Sequence, residues 1–185
     1  MSTWNAEEYL KFGNERTRPA ADLVGRIDLH EPAKIIDLGC GPGNSTSVLR
    51  ARWPQSTIIG IDSSEQMIET ARTSFPSGGW LLGDAAEWEA DEPVDLLYSN
   101  AVLQWIPGHG ELVQRLFGMV ASGGAMAFQI PSSSYPLVRE IIHEVSTEGA
   151  WALKTEGARG ALTMMDPPFY YDALAADARS LDIWE

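Results

Sequence analysis

Residues Ile35-Ile36-Asp37-Leu38-Gly39-Cys40-Gly41-Pro42-Gly43-Asn44-Ser45 constrain the fold more than any other stretch of the chain. An apolar run too short for a helix enters a turn with glycine at alternate positions, and a helical segment, 45–52, follows. Glycines in such a turn take backbone conformations closed to other residues and let the chain pass close to a ligand. Strand, glycine-rich turn and helix in that order open the parallel α/β architectures, where small molecules bind beyond the carboxyl ends of strands. An ordinary tight strand–helix turn has the same pattern, so the loop alone leaves both readings open.

The rest of the chain continues the alternation. Apolar runs predict strands over 34–38, 57–61, 80–82, 94–99 and 125–130, with Ser122-Gly123-Gly124 as the turn before the last. Pro19 suits the first turn of a helix carrying Leu23, Val24 and Ile27. Ser63 with Gln66 fits a capping box ahead of Met67, Ile68 and Ala71. Leu112, Val113, Leu116, Phe117 and Val120 form one apolar helical face, and Leu137, Val138, Ile141, Ile142 and Val145 another. Over 146–168 the pattern weakens, which predicts a loop or lid. Leu181-Asp-Ile-Trp-Glu185 reads as the opening of a sixth strand, at which the sheet is expected to be truncated.

Charge and composition exclude several function classes. The formal net charge of −13 speaks against nucleic acid and anionic membrane surfaces as partners. A single cysteine, Cys40, rules out an intramolecular disulfide and a multi-cysteine metal site. His30, His109 and His143 stand too far apart for ligand spacing, so no metal is expected. The start, Met1-Ser-Thr-Trp-Asn-Ala-Glu-Glu, lacks the basic and apolar regions of a secretory signal. The uncharged stretch 116–138 is broken by Gly118, Gly123, Gly124, Pro131 and Pro136 and cannot span a bilayer. The expectation is a cytoplasmic domain.

The acids decide what the loop is for. Its spacing is Gly-x-Gly-x-Gly, not Gly-x-Gly-x-x-Gly, and Asp37 stands two residues before the first glycine. A dinucleotide pyrophosphate would be repelled by that carboxylate. S-adenosylmethionine brings an ammonium and a sulfonium, for which an acid is welcome. Asp62 ends the second strand, where a carboxylate can bind both ribose hydroxyls. Gly83-Asp84-Ala85 ends the third, placed to meet an adenine edge.

In order and spacing, residues 37–43, Gly60-Ile61-Asp62-Ser63-x-x-x-Met67 and Gly83-Asp84-Ala85 resemble the class I S-adenosylmethionine-dependent methyltransferase family. The resemblance implies a doubly wound, mostly parallel Rossmann-like sheet with helices on both faces. Residues 1–30 would cover the cofactor site and 31–185 form the cofactor-binding domain. It places Asp37, Gly39, Cys40, Gly41 and Asn44 at the methionine part of the cofactor, Asp62 and Ser63 at the ribose, and Asp84 and Ala85 at the adenine. Met67 would pack on the adenine face, or serve as a core methionine of its helix. Asn100 and Ala101, after the fourth strand, would touch the methionine part, and Trp105 would cover cofactor or substrate or else pack in the core. Tyr9 and Phe12 would close over the cofactor or simply pack their helix.

Further segments are similar to the trans-aconitate 2-methyltransferase group. They are Trp4-Asn5, Tyr9-Leu10-x-Phe12, Glu15-Arg16-Thr17-Arg18-Pro19-Ala20, Asn100-Ala101-x-x-Gln104-Trp105-x-Pro107-x-His109 and Tyr170-Tyr171-x-x-Leu174. That group esterifies a carboxylate of a tricarboxylic acid. A carboxylate, with a pKa of about 4, is already ionised at neutral pH and needs no general base. The substrate's charges need cations, for which Arg16 and Arg18 are the candidates, unless they are solvated surface residues. His109 would contact the substrate, act as base toward a hydroxyl acceptor, or cap the next helix. The expected activity is methyl transfer to a small polycarboxylic acid; methylation of a hydroxyl or phenol, and cofactor binding without turnover, are the alternatives. Asp166-Pro167-Pro168-Phe169 matches a motif of base-directed amino methyltransferases, but it stands after the fifth strand instead of the fourth and reads as a turn.

Overall fold

The structure is a computed structural model that describes residues 13–132, 136–149, 151–156 and 163–185. In chain order its first elements are α1 (Gly13–Arg26), β1 (Lys34–Leu38), α2 (Asn44–Arg52), β2 (Thr57–Asp62), α3 (Glu65–Ser74) and β3 (Gly79–Leu82). There follow β4 (Val94–Asn100), a 3-10 turn (Leu103–Trp105), α4 (His109–Phe117), β5 (Val120–Gln129), α5 (Pro136–Thr147), α6 (Trp151–Lys154) and α7 (Pro167–Leu174). They fall into two units: Met1–Val102 with Arg115–Gln129, and Leu103–Gln114 with Ile130–Glu185.

The first unit holds the sheet, in the order β3-β2-β1-β4-β5, with every pairing parallel. Ile35, Ile36 and Leu38 of β1 and Leu96, Leu97 and Tyr98 of β4 are all buried. Continuous apolar runs of this kind are what strands covered on both faces require. Building outward from β1 in opposite directions with right-handed crossovers sends the connecting helices to opposite faces, the doubly wound arrangement. The order changes direction between β1 and β4, and ligands of such sheets bind beyond the strand ends at that point.

One core cluster joins α1 and α2 to the sheet through Ala20, Leu23, Val24, Ile27, Ile35, Leu49, Trp53, Ile58, Leu96 and Tyr98. Arg52 ties α2 to the end of α1, donating to the carbonyls of Val24 and Ile27. Trp80 lies in a smaller cluster with Cys40, Ile68 and Ala71.

Several local expectations shift. Pro19 lies inside α1, not in its first turn, because the helix begins at Gly13. A proline there costs about 3 kcal/mol, which the burial of Ala20, Leu23 and Val24 offsets. The cap of α3 is Ser64, not Ser63: its hydroxyl accepts from the Met67 N–H at 3.4 Å. Asp62 causes the displacement, since its Oδ1 accepts the Ser64 N–H at 2.9 Å and turns the chain one residue later. Ser122-Gly123-Gly124 lies inside β5, where the register with β4 jumps from Val94↔Val120 to Leu96↔Ala125. Gly123, at φ 83, makes that irregularity possible. Val120 therefore belongs to β5 and not to the face of α4.

The second unit contains the 3-10 turn, the start of α4, and α5 to α7. The span 146–168 is not all loop, since α6 occupies Trp151–Lys154. Asp166 caps α7 by accepting the Phe169 N–H at 3.1 Å, with Pro167 opening the helix, so Asp-Pro-Pro-Phe is a helix start. Leu137, Ile141, Ile142 and Val145 do share a face of α5, and that face is exposed. Leu181-Asp-Ile-Trp-Glu185 enters no ladder with the described residues. An apolar run becomes a strand only by pairing. Among the described residues no helix is long and apolar enough to cross a membrane.

Candidate functional site

Asp37, near the end of β1, is completely buried. Its Oδ2 accepts from the hydroxyls of Ser45 at 2.7 Å and Thr46 at 2.5 Å, both in the first turn of α2. Its Oδ1 is buried with no hydrogen-bond partner. Burial pushes the carboxyl up to about 6; the two hydroxyls oppose that shift, and the charge of Asp62 adds to it.

The glycine turn is held from the neighbouring strand. Gly39 and Cys40 donate their N–H groups to the Ile61 carbonyl at 2.7 and 2.9 Å. Gly41 donates to Asp62 Oδ2 at 2.9 Å, so Asp62 clasps the turn with one oxygen and the start of α3 with the other. Burial raises the Asp62 carboxyl too, opposed by those same two N–H groups. Gly39 has φ 75, and a Cβ there would lie 2.2 Å from Val102 Cγ2. Gly41 has φ 55 with nothing within 4 Å of a built Cβ, so this side of the turn is open to a ligand.

The cysteine of the turn faces the other way. Cys40, expected at the methionine part of the cofactor, has its side chain buried with Ile68, Ala71 and Trp80 and its backbone N–H engaged by the Ile61 carbonyl. Asn44 opens α2 and donates to Thr17 Oγ1 at 3.5 Å, which brings α1 beside the turn. Ser63 is exposed between Asp62 and the cap, while Met67 is buried in the first turn of α3 beside Ile68 and Ala71.

After β3 the chain turns through Asp84, exposed, and Ala85, buried. Asp84 Oδ1 accepts the Ala86 N–H at 2.9 Å. Arg115 was not singled out in the sequence, yet it donates to the carbonyls of Ala85 at 3.0 Å, Ala86 at 2.9 Å and Trp88 at 2.6 Å. At the end of β4, Asn100 has a buried Oδ1 without a partner. Ala101 follows in the left-handed region at φ 57, its N–H held by the Gln129 carbonyl at 2.8 Å. Strain at a non-glycine residue of this kind clusters at ligand sites.

In the second unit, His109, expected as a substrate contact, a base or a helix cap, is buried. Its Nε2 lies 2.8 Å from the Leu103 carbonyl and its Nδ1 2.6 Å from the Tyr170 hydroxyl. A carbonyl can only accept, so Nε2 carries the proton and Nδ1 accepts from Tyr170. Neither nitrogen is left for a substrate. Gln104 is buried with an unpartnered Oε1, and Trp105 is 46% exposed.

Arg18 is exposed and its Nε lies 3.9 Å from Asp22 Oδ2, one helical turn on. Arg16 lies on α1, but its side chain, like Tyr9 and Phe12, lies outside the described residues. Among the described residues no three His, Cys, Asp or Glu side chains could hold a metal ion.

The chemistry of the first unit fits a cationic, nucleoside-bearing cofactor. Unpartnered acceptors stand at the ends of the adjacent strands β1 and β4, where an ammonium would satisfy them. The acids Asp37, Asp62 and Asp84 sit at or just beyond the ends of β1, β2 and β3.

A family model described as a methyltransferase domain matches residues 35–124. A protein from Azoarcus sp. (strain BH72) named trans-aconitate 2-methyltransferase is 43% identical over 189 residues, covering 100% of this chain and 72% of its own length. One of the same name from Methylobacterium radiotolerans is 44% identical over 187 residues, with the same coverage. A solved complex between the Haloferax volcanii Trm112 methyltransferase activator and a methyltransferase matches with a TM-score of 0.70 at 18% identity, covering 90% of this chain and 70% of that one. The plantazolicin methyltransferase BpumL in complex with SAH matches with a TM-score of 0.58 at 16% identity, covering 92% of this chain and 63% of that one. At those identities the two structures speak to the fold.

Proposed function

Since the chain belongs to the trans-aconitate 2-methyltransferase family, we propose that it transfers a methyl group from S-adenosylmethionine to a carboxylate of a small polycarboxylic acid, trans-aconitate being the first to try. The observation that carries this reading is 43% identity running through the whole chain, not the glycine turn alone. The orphaned Oδ1 of Asp37 supports the cofactor assignment, because an acceptor buried without a partner needs a donor that the protein does not supply.

When bound, the cofactor supplies an electrophilic methyl on a positive sulfur. An oxygen of the ionised substrate forms the new bond, the sulfur keeps the old bonding pair, and no proton moves. The residues therefore have positioning and charge to provide, and no base. Asp37 and Asn100 are suited to the ammonium, Asp62 to the ribose and the turn after β3 to adenine. The engaged ring of His109 favours this acceptor over a hydroxyl or phenol, which would require a base.

Arg16 and Arg18 are the cations proposed for the substrate. Arg18 gives up little by exchanging Asp22 for a substrate carboxylate, because an exposed pair is worth only about 0–1 kcal/mol. Residues 1–30 are proposed to cover the cofactor, a role supported by the contact of Thr17 with Asn44. A cytoplasmic enzyme with a small-molecule substrate completes the reading, in keeping with the net charge of −13.

The test is incubation with S-adenosylmethionine and trans-aconitate, scored by mass spectrometry for a monomethyl ester, with a phenol panel alongside. Ester formation that disappears in Asp62→Ala supports the reading. Methylation of phenols alone, or binding of S-adenosylhomocysteine with no ester from any polyacid, overturns it.

A further inference from the structure

The turn after β3 is unusually committed. The Asp84 carbonyl accepts from Glu87 at 3.0 Å and from Trp88 at 2.7 Å, and Asp84 Oδ1 accepts from Ala86. The carbonyls of Ala85, Ala86 and Trp88 all go to one guanidinium, that of Arg115. Those bonds leave Asp84 Oδ2, an acceptor, and the Ala85 N–H, a donor, side by side on adjacent residues. An acceptor next to a donor matches the edge of adenine, which offers an amino group beside a bare ring nitrogen. Hypoxanthine offers the reverse, a carbonyl beside a ring N–H. A site built for one pattern rejects the other because its own polar groups are left unpaired.

We propose that Arg115 is the positioning residue for cofactor selection: by pinning three carbonyls of this turn it holds Asp84 Oδ2 and the Ala85 N–H in the arrangement that takes adenine and refuses hypoxanthine. The proposal rests on the turn meeting the cofactor's base. Arg115 reaches the turn from the end of α4, more than twenty-five residues along the chain. Its planar fork is what allows one side chain to serve several carbonyls, which a lysine ammonium on a flexible stem does less well. The peptide that carries the Ala85 N–H is held through the Asp84 carbonyl by Glu87 and Trp88, and Arg115, fixing the two peptides that follow and the carbonyl of Trp88, keeps that arrangement from rotating as a unit.

Calorimetric titration with S-adenosylhomocysteine and with S-inosylhomocysteine, its deaminated counterpart, tests this in the parent, Arg115→Ala, Arg115→Lys and Asp84→Ala. The parent is expected to prefer the adenosyl ligand. Arg115→Ala is expected to bind it about tenfold more weakly, the worth of one charge-assisted hydrogen bond, while the inosyl ligand changes little. Arg115→Lys should fall between, and methylguanidinium added to Arg115→Ala should restore part of the preference. Both ligands see the same folded protein, so the ratio is insensitive to lost stability. Equal weakening toward both ligands reduces Arg115 to a structural residue and overturns the proposal, as does an unchanged ratio. A parent without preference, or Asp84→Ala retaining it, overturns instead the placing of the turn at adenine.

Discussion

The Gly41 N–H donates to Asp62 Oδ2 at 2.9 Å, so the acid at the end of β2 shapes the turn that follows β1. The residue assigned to the ribose is thus also a splint for the turn assigned to the methionine part, and its two roles can be separated by substitution. In Asp62→Asn the amide nitrogen meets one of two backbone N–H groups, leaving a donor facing a donor. We expect a loss of about 2 kcal/mol in stability, read from the urea midpoint, together with weaker binding of S-adenosylhomocysteine. Weakened binding with the midpoint unmoved would show that the splint contributes nothing.

Asp37 sets a pH dependence whose sign follows from its burial. Its carboxyl titrates at about 6 in the folded chain, against about 3.9 when unfolded. Between those values the folded chain holds a proton that the unfolded chain has lost, so stability falls as pH rises through roughly 4 to 6. The contribution is on the order of 3 kcal/mol, present in full below pH 4 and gone above pH 6. Asp37→Asn should flatten that part of a urea-midpoint profile. Affinity for S-adenosylhomocysteine in the parent should rise over the same window, as the carboxylate becomes free to receive the ammonium. An identical slope in the variant would remove Asp37 as the cause.

His109 leads to the opposite kind of prediction. With both ring nitrogens committed to Leu103 and Tyr170, it has no nitrogen left to take a proton from an acceptor. The rate at saturating polyacid and cofactor should be level from pH 6 to 8. Tyr170→Phe should cost about 1–2 kcal/mol, since Nδ1 and the Met165 N–H lose a buried partner, with kcat of the folded enzyme close to the parent's. A histidine-like limb in the rate profile that vanishes in His109→Gln would contradict this.

Gly39 meets Val102 too closely to carry a side chain. Gly39→Ala places a methyl 2.2 Å from Val102 Cγ2 at a φ of 75. The left-handed backbone costs about 1–2 kcal/mol and the overlap roughly 1–3 kcal/mol more. Adding Val102→Ala removes the overlap and leaves the backbone penalty. The double variant should therefore be more stable than Gly39→Ala alone, a non-additivity visible in urea melts. Simple addition of the two losses would mean that the turn relaxes away from Val102.

The strands were legible because a strand buried on both faces leaves an unbroken apolar run, and β1 carries the limits that its sequence predicts. The ends of elements were less so. Ser63 and Ser64 are equivalent by composition, and only the bond from Asp62 to the Ser64 N–H chooses between them. Helical spacing found that Leu137, Ile141 and Ile142 share a face but could not say that this face is exposed, because periodicity fixes direction and not what lies opposite. The strand-end acids were readable since turn and acid are close in sequence. Arg115 was not, as its partners lie 27 to 30 residues away, and His109 was found without its Tyr170 partner, 61 residues on. The pair Ser45-Thr46 beneath Asp37 could have been found, being hydroxyls at a helix start facing a strand-end acid.

Because every ladder of the sheet is parallel, no hairpin is available to begin it. Each pairing must close a loop through a whole crossover before any contact rewards it, which makes such topologies slow. The site residues stand where β1 meets both of its neighbours, so they come together only when the last of these closures is complete. In stopped-flow refolding, the competence to capture S-adenosylhomocysteine should therefore appear with the slowest phase, after most of the helical signal has returned.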